Sequence, residues 1–172
     1  MKTKILYIFL LFIPIIANSQ WLNKWEEVKV ADRIQKSVFL DVYFLSTDRN
    51  LGWICGSESQ VAFTKDGGDN WETVIIDTNE LIKLESIHFT SPSIGYTSGT
   101  TYNNDSAGAI YKSIDSGRTW VDISPEIGEL YYIWGCYFYN DSSGVAVASD
   151  GCITQFLLKT TDIGQSWTTK VY

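Results

Sequence analysis

Few residues of this 172-residue chain are of types that could carry out catalysis by common mechanisms. His88 is its only histidine, and its three cysteines, Cys55, Cys136 and Cys152, contain no Cys-x-x-Cys pair. Ordinary zinc sites need several such ligands, and a Ser-His-Asp triad would have to use His88. We therefore expect no metal and no cofactor. His88 occupies the same repeat position as Tyr43 and Tyr137, which favours a structural role in a strand.

Carboxylates are the remaining candidates for catalysis. A glycosidase needs two of them at a fixed separation, with one pKa raised. The acids that could face a channel or an upper loop are Asp41, Glu58, Glu85, Asp105 and Glu129. The spacing of these residues reveals no such pair, and a solvated acidic surface explains them better. We predict no catalytic residue.

Exposed aromatic and amide side chains suggest a binding surface instead. The middle of the chain carries an enlarged polar loop, residues 100–108, and long loops on a rigid scaffold often bind ligands. An aromatic cluster follows at residues 131–134, whose exposed members could stack on a sugar or a partner chain. A tolerated surface insertion beside ordinary core aromatics is the alternative. The candidate residues are Tyr102, Asn103, Asn104, Asp105, Tyr131, Tyr132 and Trp134.

These residues must be positioned by a repeated unit, because one eight-residue motif occurs three times. The motif Ser/Thr-x-Asp-x-Gly-x-x-Trp spans residues 64–71, 113–120 and 160–167, at intervals of 49 and 47 residues. Such periods indicate propellers, solenoids or arrays. We predict structural roles for its defining residues: Thr64, Asp66, Gly68, Trp71, Ser113, Asp115, Gly117, Trp120, Thr160, Asp162, Gly164 and Trp167.

Each part of this motif suits a tight turn between two strands. The glycine tolerates positive φ, and the aspartate can accept hydrogen bonds from turn N–H groups. The serine or threonine adds a local hydrogen bond. The tryptophan re-enters the sheet as an apolar anchor whose indole N–H can reach a carbonyl. The motif therefore predicts a hairpin clasp.

Strand-like segments recur at fixed offsets from the motif. Each unit contains an apolar-x-Phe strand, a polar turn, a second strand opened by a turn glycine such as Gly52 or Gly95, and a third strand that enters the motif. The tryptophan then begins a fourth. Four short strands per unit, with glycine and aromatic residues at matching places, are typical of β-propeller blades. We predict an all-β fold of four-stranded antiparallel blades.

These motifs resemble the Asp-box, or bacterial neuraminidase repeat, superfamily of β-propellers. Within it the chain is most similar to secreted proteins like the photosystem II stability and assembly factors, and the resemblance covers about residues 21–172. It implies a propeller fold and no catalytic residue, because the box usually lies away from the binding site. Sialidases of this superfamily use three arginines and a tyrosine nucleophile. Here Arg49 and Arg118 are expected on the box face, so sialidase activity is not predicted.

The N-terminal residues predict export. Lys2 and Lys4 precede an apolar run over residues 5–16 and small residues at 17–19, the pattern of a signal peptide. The run is too short for the ~20 residues of a membrane span, and no cysteine follows it for a lipid anchor. We predict a signal peptide over residues 1–20 and a secreted, periplasmic or cell-surface protein.

The net charge of −7 argues against nucleic acid and anionic membranes as partners.

For the cysteines, we predict buried, reduced thiols, with Cys136 and Cys152 on strands either side of a third. Two strand spacings approach ~10 Å, which exceeds disulfide reach.

The predicted strands do not add up to a closed ring. An extra fourth-strand segment at residues 21–30, containing Trp25, precedes repeats at about 31–75, 76–124 and 125–172. Propellers typically have four to eight blades. We therefore expect either further blades after Tyr172 or a homo-oligomer. The predicted function is a non-enzymatic scaffold for protein or glycan interaction, and the alternative is a fragment of a carbohydrate-active enzyme.

Overall fold

The computed structural model describes residues 37–78, 81–102, 107–126 and 132–172, and in these ranges the chain forms twelve strands and no helix. The first sheet contains β1 (Phe39–Leu45), β2 (Asp48–Gly56), β3 (Gln60–Thr64) and β4 (Glu72–Ile75). The second contains β5 (Ile82–Phe89), β6 (Gly95–Thr101), β7 (Gly108–Ser113) and β8 (Val121–Asp122). The third contains β9 (Tyr132–Phe138), β10 (Gly144–Ser149), β11 (Gln155–Thr160) and β12 (Thr168–Val171).

Each sheet is antiparallel, with its four strands in chain order. This confirms the predicted all-β fold of four-stranded blades. The predicted signal peptide and the segment around Trp25 lie outside the described residues. In the described ranges, nothing helical has the length and apolarity needed to cross a membrane.

The first strands of the three sheets lie against one another and so form the innermost layer. Two polar contacts join them. The Ile87 N–H donates to Asp41 Oδ2 at 2.9 Å, which links β1 to β5, and Ser86 Oγ donates to the Cys136 carbonyl at 3.5 Å, which links β5 to β9. The inner strands therefore keep a fixed alignment from blade to blade.

Neighbouring blades are joined by pairs of stacked aromatic rings. Trp53 of β2 stacks on Phe89 of β5 with centroids 3.6 Å apart and planes 10° apart, and Tyr96 of β6 stacks on Phe138 of β9 at 3.6 Å and 3°. These four side chains are almost wholly buried. Each such pair contributes about 0.5–1.5 kcal/mol beyond the burial of its apolar area. We call each pair an aromatic joint.

Hydrogen bonds fix the second-strand residue of each aromatic joint. The Trp53 indole N–H donates to the Ser116 carbonyl at 2.9 Å, and the Tyr96 hydroxyl donates to the Asp141 carbonyl at 2.9 Å. Both carbonyls belong to turns of the next blade. Each ring is thus held by stacking and by a polar bond at once.

The glycines that open the second strands are required by close packing. A Cβ at any of them would come within 2.4–2.7 Å of a phenylalanine ring carbon of the same blade. The pairs are Gly52 with Phe44, Gly95 with Phe89 and Gly144 with Phe138. Gly95 and Gly144 open β6 and β10 as predicted, whereas Gly52 lies inside β2. At all three positions the phenylalanine ring occupies the space that a side chain would need, so glycine is required by packing and not by a positive φ.

A second glycine in each of the first two blades accommodates a β-bulge in the inner strand. A Cβ at Gly56 would lie 2.0 Å from the Val38 carbonyl oxygen, and a Cβ at Gly99 would lie 1.9 Å from that of Lys83. The pairing register shifts beside both contacts. These glycines let the bulged strand approach its neighbour.

The three boxes form hairpin clasps of the same geometry. In the first, Thr64 Oγ1 donates to Asp66 Oδ1 at 2.8 Å and accepts from the Gly68 N–H at 3.0 Å, while Asp66 Oδ1 also accepts from the Asn70 N–H at 2.9 Å. The same bonds recur around Asp115 and Asp162. Each box thus folds around one carboxylate.

Two consecutive residues of every box turn have positive φ. They are Gly67 and Gly68, Ser116 and Gly117, and Ile163 and Gly164, with φ between 66° and 105°. Ile163, at 70°, is β-branched and therefore strained in this conformation. The sequence motif requires glycine only at the second of these two positions, so the first can be another residue type.

The three thiols are free, as predicted, but their burial differs. Cys55 and Cys136 are buried, and burial raises the pKa of the Cys136 thiol to about 12. Cys152 is exposed, in the loop between β10 and β11, so its predicted burial on a strand is wrong. The turn around Asp150, which accepts from the Cys152 N–H at 2.8 Å, takes this residue out of the sheet.

We predict that Gly99→Ala destabilises the protein by about 2 kcal/mol or more, because its Cβ would overlap the Lys83 carbonyl and force the backbone apart. Gly135→Ala is the matched control, since the nearest atom to its Cβ would be 3.7 Å away. That change should alter the free energy of unfolding by no more than about 0.5 kcal/mol. Urea unfolding of both variants measures the difference. Equal losses in the two would contradict the packing explanation.

We predict that the first box contributes stability that is lost on acidification. Hydrogen bonds from Asn70 and Thr64 lower the pKa of Asp66 to about 2, against about 3.9 in an unfolded chain. A lowered folded-state pKa stabilises the native state above pH 4, and the contribution disappears as pH falls towards 2. Asp66→Asn should therefore lower Tm at pH 7 and differ less from the original chain at pH 2.

Asp69→Asn is the control for this experiment, because it removes the same charge from the same turn but leaves the Asp66 acceptor in place. Thermal unfolding between pH 7 and pH 2 gives the comparison. Identical Tm profiles for the two variants would show that net charge, and not the clasp, sets the pH dependence.

Candidate functional site

The boxes and the predicted binding residues lie at opposite ends of the blades. Each box turn bonds to the end of its blade where the first two strands connect, as in the bond from the Ser116 N–H to the Ser93 carbonyl at 3.0 Å. The other end carries the connections at residues 57–59 and 150–154 and the starts of the inner strands. We call this end the upper face.

Three of the seven predicted binding residues are described, and all three belong to the upper face. Tyr102 follows β6, while Tyr132 and Trp134 lie in the first half of β9. Tyr102 is exposed, and its N–H donates to the Leu81 carbonyl at 2.9 Å. The remaining four, Asn103, Asn104, Asp105 and Tyr131, lie outside the described residues.

Tyr132 and Trp134 form a stacked pair. Their ring centroids are 5.1 Å apart and their planes differ by 12°. The Trp134 indole N–H donates to Ser149 Oγ at 3.3 Å, which orients the ring, and 47% of Trp134 remains exposed. A flat, oriented and half-exposed aromatic surface can stack on a ring or an apolar side chain of a ligand.

At the matching positions of the other two inner strands, the sequence had singled out only Glu85, as a candidate carboxylate and not as part of a binding surface. On β5 these are Lys83 and Glu85, which form an ion pair. This pair holds the pKa of the Lys83 ammonium above its ordinary value, chiefly through the hydrogen bond to Glu85, and nearby Tyr102 acts in the same direction. At the first inner strand the equivalents are Val38 and Leu40, both exposed.

Alignment of the repeats on their phenylalanines would have found these pairs. Counted back from Phe44, Phe89 and Phe138, the second member lies four positions and the first six positions earlier. The three pairs differ in chemistry: Val38–Leu40 is aliphatic, Lys83–Glu85 ionic and Tyr132–Trp134 aromatic. We call the three together the inner-strand row.

A second set of rings crosses the inner strands closer to the boxes. His88 lies between Tyr43 and Tyr137, with centroid distances of 4.8 and 4.5 Å. Its Nε2–H donates to the Phe138 carbonyl at 3.0 Å. Burial lowers the pKa of His88 below its ordinary value, so the ring is neutral at pH 7. His88 therefore has a structural role, in which its ring packs between side chains of the neighbouring inner strands.

The described arginines lie on the box side. Arg49 is the second residue of β2, and Arg118 belongs to the second box, where its Nη1 donates to the Asp115 carbonyl at 2.8 Å. The Arg118 guanidinium also lies 5.0 Å from the centre of the Phe63 ring. Both positions are as expected from the sequence, and neither is on the upper face.

Two of the candidate carboxylates already have structural partners. Asp41 accepts the Ile87 N–H and Glu85 pairs with Lys83. Glu58 lies in the connection after β2 with φ of 60°, and Asp105 and Glu129 are outside the described residues. Among the residues that the structure describes, there is no cluster of three or more side chains suited to binding a metal ion.

A cleft of about 440 Å³ lies between the third box and residues 122–126. Trp167 closes one side, where its indole N–H donates to the Ile123 carbonyl at 3.3 Å. Asp122 bonds to the Ser124 N–H at 2.7 Å and Ser166 to Asp162, each within its own turn. The cleft therefore lies where the second and third blades meet, beside the third box.

The three blades, their boxes and their aromatic joints define the protein as an Asp-box β-propeller. Residues 17–102, half of the chain, match the family described as photosynthesis system II assembly factor YCF48. The chain belongs to this family.

Two relatives are similar to this chain over part of its length. The photosystem II assembly lipoprotein Ycf48 of Synechocystis sp. is 38% identical over 58 residues, which are 34% of this chain and 16% of the relative. That of Synechococcus sp. is 33% identical over 69 residues, 40% of this chain and 19% of the relative. The matched segments thus span less than a fifth of each relative.

The structure is similar to YCF48 bound to a D1 peptide, with a TM-score of 0.63, 19% identity and coverage of 77% of this chain and 40% of that one. YCF48 from Cyanidioschyzon merolae gives 0.56 and 23%, with coverage of 77% and 39%. A GH74 enzyme of Niastella koreensis gives 0.58 and 16%, with coverage of 76% and 22%. At these levels of identity, the three similarities show a shared fold.

We predict that Trp134 is dispensable for folding whereas the aromatic joint is not. Phe138→Leu removes the ring stacked on Tyr96 and should cost about 1–2 kcal/mol of unfolding free energy. Trp134→Leu changes a half-exposed side chain and should cost no more than about 0.5 kcal/mol. Chemical denaturation of both variants tests this. A larger loss for Trp134→Leu would mean that the stacked pair serves the fold.

Proposed function

We propose that this chain is an exported, non-enzymatic propeller scaffold that binds a segment of another protein during assembly. The observation that supports this most directly is the stacked pair of Tyr132 and Trp134, oriented and half-exposed on the upper face. Such a surface contributes to binding through apolar contact.

The comparisons support a protein segment as the ligand. The matched family consists of assembly factors, and one structural neighbour is YCF48 with a D1 peptide bound. We carry over the general role, holding a segment of an unassembled protein, and propose it for this chain.

Export rests on the N-terminal sequence. Residues 1–20 have the basic start, apolar run and small residues of a signal peptide, and the relatives are called lipoproteins, which are exported. We therefore propose a secreted, periplasmic or surface location for this chain.

Glycan binding is the second candidate, because a flat aromatic pair also stacks on sugar rings. The enzyme alternative has less support. Asp41 and Glu85, two of its candidate carboxylates, are engaged in contacts that hold the strands and the inner-strand row. The GH74 neighbour shares the fold at 16% identity.

We also propose that further blades, from a longer product or from a second copy, cover the outer sheets. Apolar side chains remain exposed on the first and third sheets, among them Val42, Phe44 and Val147. Phe44 is in the position of Phe89 and Phe138, yet no described ring stacks on its face, and Trp71 meets it edge-on. An uncovered blade face of this kind favours a neighbour.

Selection from a random peptide library, together with a glycan array, tests the proposed function. We expect the full chain to enrich peptides, and Trp134→Ala to lose at least about tenfold in affinity for them, which corresponds to about 1.4 kcal/mol. Tyr139→Ala is the matched control, because Tyr139 is also half-exposed, at 53%, but lies in the turn after β9 on the box face.

If the chain bound glycans on the array and enriched no peptides, the proposed protein ligand would be wrong and a sugar would be the ligand. Hydrolysis of a glycan, abolished by a single Asp→Asn or Glu→Gln change, would overturn the non-enzymatic role. Equal effects of Trp134→Ala and Tyr139→Ala would remove the upper face as the site.

A further inference from the structure

The outer face of the first sheet is buried along its third strand. Val61 and Phe63 belong to the core shared with the second blade. The residues that alternate with them along β3 therefore point away from that blade: Gln60, Ala62 and Thr64. No described blade lies on that side, yet their exposed fractions are 0%, 0% and 2%. Such burial requires a further segment of protein over this part of the sheet.

The other end of the three blades shows how an uncovered face differs. On β11, Phe156 and Leu158 pack in the core shared with the second blade. The residues that alternate with them face away from it: Gln155, Leu157 and Lys159. Two of these three are exposed and the third is half-buried. The strand β3 is thus buried on both faces, whereas β11 is buried on one.

The burial does not extend to the inner strand of the first sheet. Val42 and Phe44 are 59% and 37% exposed, whereas the matching residues of the second blade, Ile87 and Phe89, are buried against the first. A whole preceding blade would bury both strands alike. A single strand with its linker, placed over the outer half of the sheet, accounts for the difference.

Fourth strands and their linkers cover the following blade in this way. Val74 and Ile76 pack into the core between the first two blades. Ile123, which follows β8, lies against the third box, where its Cδ1 would be 2.8 Å from a Cβ at Gly164. The segment that begins at a box tryptophan therefore brings apolar side chains to the next blade.

The sequence before the first blade has the same pattern. Val28 and Val30 lie three and five residues after Trp25. The same two offsets from the tryptophan of the first box give Val74 and Ile76. Trp25 precedes the phenylalanine of the next inner strand by 19 residues, and the box tryptophans of the first two repeats do so by 18. The linker is thus long enough to bring Val28 to the first box.

We propose that residues 21–36 fold back over the outer half of the first sheet, with Val28 against the first box, and cap this end of the blades. Terminal caps of this kind protect the apolar faces of repeat proteins. The Gln60 amide, whose nitrogen and oxygen have no hydrogen-bond partner among the described residues, would gain a main-chain donor and acceptor from this segment. Val42 and Phe44 stay open for a further blade. This inference is independent of the proposed function.

Cross-linking in the full chain tests the location. Val28→Cys with Asp69→Cys, in a Cys152→Ser background, joins the segment to the first box, because the matching residues Ile123 and Gln165 line one cleft. Val28→Cys with Gln165→Cys is the matched control, since Gln165 has the place of Asp69 in the third box. With a short bis-maleimide and mass spectrometry, we expect the first link, within one chain, at a yield at least about tenfold higher than the second.

Thermal unfolding of the full chain tests whether this contact stabilises the fold. Val28→Asp would place a charge against an apolar face and should lower Tm by at least about 4 °C. Lys29→Ser is the control, because it changes the net charge by the same amount at the neighbouring residue, whose side chain points the other way along a strand. It should change Tm by no more than about 1 °C.

Equal yields of the two links, no link at position 28, or equal changes in Tm would overturn the cap. A link from position 28 to position 69 of another chain would also overturn it, and would assign the buried face to a second copy. Peptide binding at Trp134 is measured separately, so its loss would reject the proposed function and leave the cap in place.

Discussion

The aromatic joint is the interaction on which the rest of this structure depends. One blade supplies a tryptophan or tyrosine from its second strand, and the next supplies the phenylalanine that ends its first strand. Because this phenylalanine must lie flat between two blades, the residue beneath it in its own sheet has to be glycine. The box tryptophan then closes the edge of the same ring, at 6.1 Å in the case of Trp120 and Phe89. Glycine, phenylalanine and tryptophan are thus parts of one contact.

The separation of structural and binding ends follows from this contact. The joints and the boxes hold the lower half of each blade through buried rings, carbonyl bonds and the aspartate clasps. The upper halves of the inner strands are free to vary, because the bulges take Leu40, Glu85 and Trp134 out of the pairing. Three blades with equivalent backbones consequently carry three unlike pairs on the upper face.

Much of the fold could be predicted from the sequence because the repeat makes local signals agree. Asp66, Asp115 and Asp162 fixed the hairpins, and the apolar-x-Phe segments fixed the first strands. The inner-strand row was only partly predictable. A bulge breaks the two-residue alternation, so Lys83 and Glu85 gave no strand-face pattern, whereas Tyr132 and Trp134 were noticed for their aromatic character alone. Cys152 was misplaced because a tight turn around Asp150 is invisible to periodicity, and Gly52 was misassigned because the ring that covers it belongs to another strand.

The joints also have a direction. Each blade presents a phenylalanine to the blade before it and a second-strand side chain to the blade after it, so any unit whose two faces match can follow any other. The middle repeat, with Phe89 on one side and Tyr96 on the other, could be duplicated in tandem without a change to either boundary. The third presents Val145 where the others present Trp53 and Tyr96. A row of blades can therefore lengthen by gene duplication at its aromatic boundaries, whereas the face that presents Val145 lacks the second-strand ring that such a joint requires.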